Sequence, residues 1–329
     1  MRITLSLVSL MIENSNDFYM SFTDLLLEAE EERMTFTPDK MLSFGIPLLD
    51  YHTLWIFPHD LVVIWADTWV GKSELSYMIA LVNAKRNKKS LLFALEGNIN
   101  EIAWRYTQRM IAEGWVPVQT RDYRINVDPE VHDLAKAVQE LSAHEWRTEN
   151  LKIFNKKQVA DLAFIEEMIR TTRDYFDLYV IDHLHYIDLW GSTIENIAIG
   201  NIMRTLQTTT WEVKKPIVLA CHLKKRNSKE DPTKYDLHWS SNISKEATTI
   251  ILVTPMDKFD NTIFAKMHSQ SPATVTDRYS WTKFIVDKSR AWMPRVELSL
   301  IFDLWEKRYI DEYSEVMGED QGTSFSYWQ

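Results

Sequence analysis

From Leu61 onward, short apolar runs alternate with longer stretches in which apolar residues recur every three or four positions. Apolar runs of four to eight residues predict buried strands, and the 3.6-residue recurrence predicts amphipathic helices. The predicted strands are 61–65, 90–94, 151–153, 178–181, 216–220, 249–254, 281–287 and 297–303. The predicted helices are 72–87, 99–112, 129–141, 159–175 and 194–214. Such alternation is the signature of βαβ units, so the fold class is α/β: a mainly parallel, twisted sheet flanked by helices, with antiparallel additions near the C-terminus.

Ahead of this core, residues 17–34 read as a helix. Asp17 is placed to cap it, and Phe18, Phe22, Leu25, Leu26 and Ala29 recur at helical spacing. Its far end is the acidic run Glu28, Glu30, Glu31, Glu32, and Pro38 then breaks the chain, making 35–42 a linker. Two readings stand: a solvated helix packed on its own domain, or one that docks on a neighbouring subunit. The expected organisation is an extension over 1–42, a core domain over 43–312, and an acidic, aromatic tail over 313–329 that is disordered. Residues 224–236 are polar throughout and read as a mobile loop.

Composition changes this picture only at a few points. Hydrophobic residues at 45% and charged residues at 26% are enough to bury a full core. The one cysteine, Cys221, excludes a disulfide framework and fits a reducing, cytoplasmic setting. A formal net charge of -10 excludes a bulk basic footprint for nucleic acid, although a ring can line its channel with local Lys and Arg. There are 8 glycines, where ordinary usage would give roughly 23, which bears on how far the loops can follow a family's pattern. Met1–Ile12 is apolar but lacks a small-residue cleavage site and runs into Glu13–Asp17, which favours a strand, short helix or over-extended start over a signal peptide. No stretch approaches the roughly 20 apolar residues of a membrane span.

The chemistry concentrates in the first βα turn, Ala66-Asp67-Thr68-Trp69-Val70-Gly71-Lys72-Ser73, followed by Glu74. A buried strand leads into it and a helix opens at Lys72, the context a phosphate-binding loop requires. Backbone N–H groups and the helix N-terminus bind phosphates, the Lys72 ammonium reaches the β/γ oxygens of ATP, and the Ser73 hydroxyl holds Mg²⁺. Asp182 ends the apolar run Leu178–Ile181 and is the second metal-side candidate; alone it would be a plain strand-end cap. Glu96 follows the strand 90–94 and can orient water at the γ-phosphate; alone it is a loop carboxylate. His183 and His185 share a strand-like face, yet no Cys or His pair of matching spacing accompanies them as metal ligands. Arg105 and Arg109 fall on one helix face and read as solvated, the alternative being contact with nucleotide.

Together these segments resemble the ATPase domain of DnaB-type replicative helicases, within the RecA-like superfamily. Phe44–Asp50 followed by Pro58–Leu61 resembles that family's lead-in, and Ala66 at the head of the loop is typical of DnaB rather than RecA. Phe93-Ala94-Leu95-Glu96 resembles the catalytic-glutamate segment, and Ile181–His185 resembles the Walker B strand with the residues after it. Ala220-Cys221-His222-Leu223 stands where a sensor motif carries Gln, with His222 in the Gln position. Val286–Arg290 resembles the strand whose Lys288 and Arg290 reach the next subunit's nucleotide site; taken alone it is a surface strand with two ordinary salt bridges. Order and spacing agree from about Phe44 to Tyr309.

The resemblance implies a RecA-like core that binds ATP and Mg²⁺ and assembles head to tail into a ring or filament, with a replication or loader protein as a partner. It also implies single-stranded DNA contacts after Asp182 and after His222. Trp190 offers stacking in the first loop, and Lys224, Lys225, Arg226 and Lys229 offer phosphate contacts in the second, where a solvated charge run is the alternative. The sequence departs from the family in bulky Trp55, Phe57, His59 and Trp69, and in the short acidic helix standing where an N-terminal domain and linker would precede. The functional reading is an ATP-driven helicase or translocase; the alternative is a RecA-fold ATPase whose nucleotide controls assembly or a protein partner, without unwinding.

Overall fold

The run Leu61-Val62-Val63-Ile64-Trp65-Ala66 is buried at every position, as a central parallel strand covered on both faces must be. In the computed structural model it forms strand β1 (Leu61–Ala66); the structure describes residues 21–37, 40–66, 71–96, 98–114, 148–155, 161–187, 195–222, 240–256, 279–290, 295–304, 307–310 and 316–317. The chain divides into two compact units, Met1–Met41 and Leu42–Gln329.

In the first unit helix α1 runs Phe22–Thr35. Ser21 caps it, its Oγ accepting the Asp24 N–H at 3.0 Å, while Asp17 lies outside the described residues. Its apolar side chains face water, Phe22 at 73% and Met34 at 67% exposure.

In the second unit α2 (Pro47–Thr53) precedes β1, followed by α3 (Lys72–Lys85), β2 (Ser90–Ala94), α4 (Ile99–Gly114), β3 (Leu151–Asn155), α5 (Leu162–Thr172) and β4 (Leu178–Asp182). Then come α6 (Glu195–Val213), β5 (Ile217–His222), α7 (Ser240–Glu246), β6 (Thr249–Pro255), β7 (Tyr279–Lys288), β8 (Val296–Asp303), β9 (Arg308–Ile310) and β10 (Val316–Met317). Strand order is β10-β8-β7-β6-β1-β5-β4-β2-β3, with β9 also on β8. The pairs from β6 across to β3 are parallel; β6–β7, β7–β8, β8–β9 and β8–β10 are antiparallel.

This order decides which helix covers which face. The steps β1→β2→β3 move one way along the sheet, and β3→β4→β5→β6 move the other. Right-handed crossovers therefore put α3 and α4 on one face and α5, α6 and α7 on the opposite one. The core divides accordingly. Val62, Ile64 and Ala66 pack with Leu75 and Met78 of α3 and with Ile102 and Tyr106 of α4. Leu61, Val63 and Trp65 pack with Ile165 of α5, Met203 of α6 and Ile243 of α7.

The lead-in is tied to α3. Asn83 accepts the Ser43 N–H at 2.9 Å and donates to its carbonyl at 2.7 Å, while Asp50 accepts from Phe44 N–H at 2.7 Å. Gly45, at φ +76, is needed because a Cβ there would lie 3.0 Å from Val82. The scarcity of glycine shows in Leu54, Trp55, His59, Asn87, Lys214 and Lys307, all non-glycine residues at positive φ.

The predicted strands are present, several extended by one or more residues. The helix predicted over 159–175 starts only at Leu162, where Asp161 accepts the Phe164 N–H. The helix predicted over 129–141 and the loop over 224–236 lie outside the described residues. Of the tail over 313–329 only Val316 and Met317 are among the described residues, and they pair with Leu298 and Glu297 of β8.

Candidate active site

Strands β1, β5, β4 and β2 are consecutive neighbours and parallel, so their carboxyl ends open onto one edge of the sheet. Register sets Ala66 beside His222 and Ala94 beside Asp182. Lys72, Asp182, Glu96 and His222, taken from four separate segments, therefore meet at this edge. Helices change face at the strand reversal, which is where an open α/β sheet forms its ligand crevice.

Gly71 is the N-cap of α3 at φ +83, and Lys72 opens the helix. A Cβ at Gly71 would lie 2.7 Å from the Tyr309 hydroxyl, so glycine is required by space as well as by backbone conformation. Ala66 closes β1; Asp67, Thr68, Trp69 and Val70 lie outside the described residues. The Lys72 side chain is buried, and its Nζ lies 3.0 Å from His222 Nε2. An ammonium has only donors, so this ring nitrogen accepts and the ring proton sits on Nδ1. Burial lowers the Lys72 pKa, opposed chiefly by Asp182. Burial, then Lys72 and His185, push His222 down to about 4.

Asp182 is fully buried, and neither carboxylate oxygen makes a well-formed hydrogen bond among the described residues. Burial raises its pKa against the Lys72 ammonium, with the Ser73 hydroxyl and Tyr77 as further opposing neighbours. A buried carboxylate beside a serine hydroxyl, with lone pairs to spare, fits Mg²⁺, which takes few protein oxygens and fills its shell with water and phosphate. Glu96 is held close by: the N–H groups of Leu95 and Glu96 both donate to the Asp182 carbonyl, at 2.8 and 3.3 Å. Its Oε2 lies 3.0 Å from His183 Nε2 and 3.9 Å from His222 Nε2.

Other expectations come out differently. Glu74, read as part of the phosphate loop, gives its carboxylate to Arg105 at 2.6 Å. Arg105 is only partly solvated and Arg109 is buried. Arg105 bridges Glu74 and Glu101, and Arg109 donates to the Lys307 carbonyl at 3.1 Å, because α4 packs over α3 rather than facing water. The His183 and His185 rings meet edge to face with centroids 5.4 Å apart, and the His185 N–H donates to His183 Nδ1 at 3.3 Å, but the His183 ring also meets Glu96 and His222, from other segments. Spacing within one segment could not reveal that; the signal was a histidine directly after the strand-end aspartate.

Lys288 and Arg290 sit away from this edge. β7 runs antiparallel to β6, so its end lies level with the start of the parallel strands. Lys288 Nζ donates to the carbonyls of Ser244 (2.8 Å) and Ala247 (2.5 Å) at the end of α7. Arg290 lies 3.8 Å from Asp60, just before β1, and 5.6 Å over the Trp211 ring. Six residues of strand separate Asp60 from Ala66, roughly 20 Å, so Arg290 is out of reach of its own chain's Lys72. Trp190, Lys224, Lys225, Arg226 and Lys229 lie outside the described residues; the segments carrying them leave from Ile187 and from His222 at the site's own edge. No helix among the described residues is long and apolar enough to cross a membrane.

Known proteins resemble this chain in sequence family and in fold. The family described as "DnaB-like helicase C terminal domain" matches residues 42–309. Among solved structures, one described as an "ATPase Domain" superposes with a TM-score of 0.69 at 18% identity, covering 89% of this chain and 99% of that one. A second, from "The Structure Of A DnaB-Like Replicative Helicase And Its Interactions With Primase", superposes with a TM-score of 0.68 at 19% identity, covering 94% of this chain and 75% of that one. No curated protein matches.

Proposed function

The chain belongs to the DnaB-like helicase C terminal domain family, and from that premise we propose that it is an ATP-hydrolysing motor working on single-stranded DNA as a head-to-tail ring or filament. The observation that carries the reading is the meeting of Lys72, Asp182, Glu96 and His222 at the carboxyl ends of neighbouring parallel strands.

Lys72 leaves His222 Nε2 and takes the β/γ oxygens, a change favoured because a triphosphate adds its charge to that of Asp182 and Glu96 in stabilising the buried ammonium. Ser73 and Asp182 would hold Mg²⁺, whose chemistry there would be to neutralise charge on the phosphoryl oxygens. Glu96 orients the attacking water and accepts its proton. His222, freed from Lys72, presents its ring N–H to the γ-phosphate and passes its presence to the segment after β5, where Lys224, Lys225, Arg226 and Lys229 would contact DNA phosphates, with Trp190 stacking on a base. Arg290 on the far edge leaves Asp60 and completes the site of the next subunit, stabilising charge on the transferring phosphate. Such an interface is heterologous and closes into a ring or continues as a filament. The structural relative whose name mentions primase suggests a replication protein as partner.

The test is ATP turnover measured with and without single-stranded DNA across protein concentration. Turnover should rise with DNA and, per subunit, with concentration, and Lys72→Ala should abolish it. Turnover that ignores DNA but still rises with concentration would favour a nucleotide-controlled assembly switch; turnover intact in Lys72→Ala would remove the nucleotide site itself.

A further inference from the structure

His183 follows the metal-side carboxylate directly and is 2% exposed, although nothing in the chemistry above employs it. Its ring is fixed from several sides. Tyr186 packs against it with centroids 4.8 Å apart, and His222 stands edge-on at 4.2 Å and 83°. The His185 N–H donates to Nδ1, which makes Nδ1 the acceptor and leaves the ring proton of the neutral imidazole on Nε2. That nitrogen lies 3.0 Å from Glu96 Oε2, close enough to attract the carboxylate although the two are not aligned as a formed hydrogen bond. One oxygen of Glu96 and one ring nitrogen each of His183 and His222 lie within 4.8 Å of one another, a spacing that would suit a metal ion. A ligating nitrogen must offer a lone pair, and the proton on His183 Nε2 argues instead for a donor beside a carboxylate.

Glu96 needs such a donor. It stands beyond the end of β2 with its side chain 40% exposed, so the sheet fixes its backbone but leaves its carboxylate free to rotate. We propose that His183 is the positioning residue for Glu96: its Nε2–H attracts Oε2, and a small rotation of the exposed carboxylate aligns the two so that the other oxygen faces the water. The same buried ring abuts His222, so the group that orients water and the group that meets the γ-phosphate share one fixed neighbour. This inference rests on the assignment of Glu96 above.

The experiment uses the full chain. Turnover (kcat) and the Kd for a fluorescent ATP analogue are measured for His183→Ala, His183→Gln, His183→Asn, Glu96→Gln and the double variant His183→Ala/Glu96→Gln. A glutamine amide can stand in for Nε2–H toward Glu96, whereas asparagine can stand in only for Nδ1 toward the His185 amide. We expect His183→Ala and His183→Asn to lower kcat at least tenfold with Kd within twofold, and His183→Gln to recover at least threefold over either. In the Glu96→Gln background, His183→Ala should cost less than a further twofold, since the carboxylate it positions is gone. Losses that multiply in the double variant, a Kd that rises in step with the fall in kcat, or a glutamine variant no better than asparagine would overturn the proposal. Should alanine prevent folding, the glutamine–asparagine contrast still decides. If Glu96→Gln turns over normally, the assignment of Glu96 falls, and this inference with it.

Discussion

His222 stands between Lys72 and His185 at the end of β5, partly shielded from water, and each of these disfavours a positive charge on its ring. With its pKa pushed down to about 4, the ring is neutral throughout the physiological range and can accept from Lys72. The sign follows. As pH falls below about 6.5, the unfolded chain takes up this proton before the folded one does. His222 therefore costs stability progressively between about 6.5 and 4, and nothing above. An NMR titration of the ring Cε1–H should show a midpoint near 4; a midpoint above 6 would contradict the packing described. The sequence marked the position but could not show this, because Lys72 lies 150 residues away. His183 was missed for a similar reason: its meaningful partner, Glu96, lies on a different strand, and the nearby His185 drew attention by spacing alone.

Between elements, Lys288 and Arg290 hold opposite prospects although they are two residues apart. Lys288 ties β7 to the carbonyls at the end of α7, where a helix welcomes positive charge. Replacing it with alanine leaves those carbonyls without their cation and should lower stability by about 1–3 kcal/mol, read from denaturant unfolding. Arg290, 41% exposed and 3.8 Å from Asp60, should cost less on removal yet eliminate most turnover. Equal stability losses with full turnover in Arg290→Ala would show both to be structural. Elements of this kind were unevenly legible. Continuous apolar runs such as Leu61–Ala66 declared the strands, but pattern ended them at Ile181 and Ala220, whereas pairing carries β4 to Asp182 and β5 to His222. Hydrogen bonding sets a strand's end, and hydrophobicity does not report it. The seven-residue helices α2 and α7 are too short to display a period, and β9 and β10 too short to form a run.

Over the whole sheet, the catalytic groups open at the carboxyl ends of the parallel strands while Arg290 stands at their amino ends beside Asp60. That separation was only partly readable: the motifs named the residues and antiparallel strands were expected near the C-terminus, but which strand β7 pairs with, and so the edge Arg290 occupies, no local signal states. It makes a prediction about mixtures. Arg290→Ala and Glu96→Ala proteins, each inactive alone, should regain part of the turnover when combined, because some junctions then pair an intact pocket with an intact arginine. Absence of any rescue over a range of ratios would argue that each chain works by itself.

The roughly 20 Å between Asp60 and Ala66 has a further corollary for how damage spreads. A copy lacking only Lys72 silences the junction on one flank, and a copy lacking only Arg290 silences the junction on the other. Uniting both lesions in one polypeptide disables two neighbouring junctions at once, so a trace of the doubly altered chain should poison an otherwise healthy population more steeply than an equal dose of either single variant.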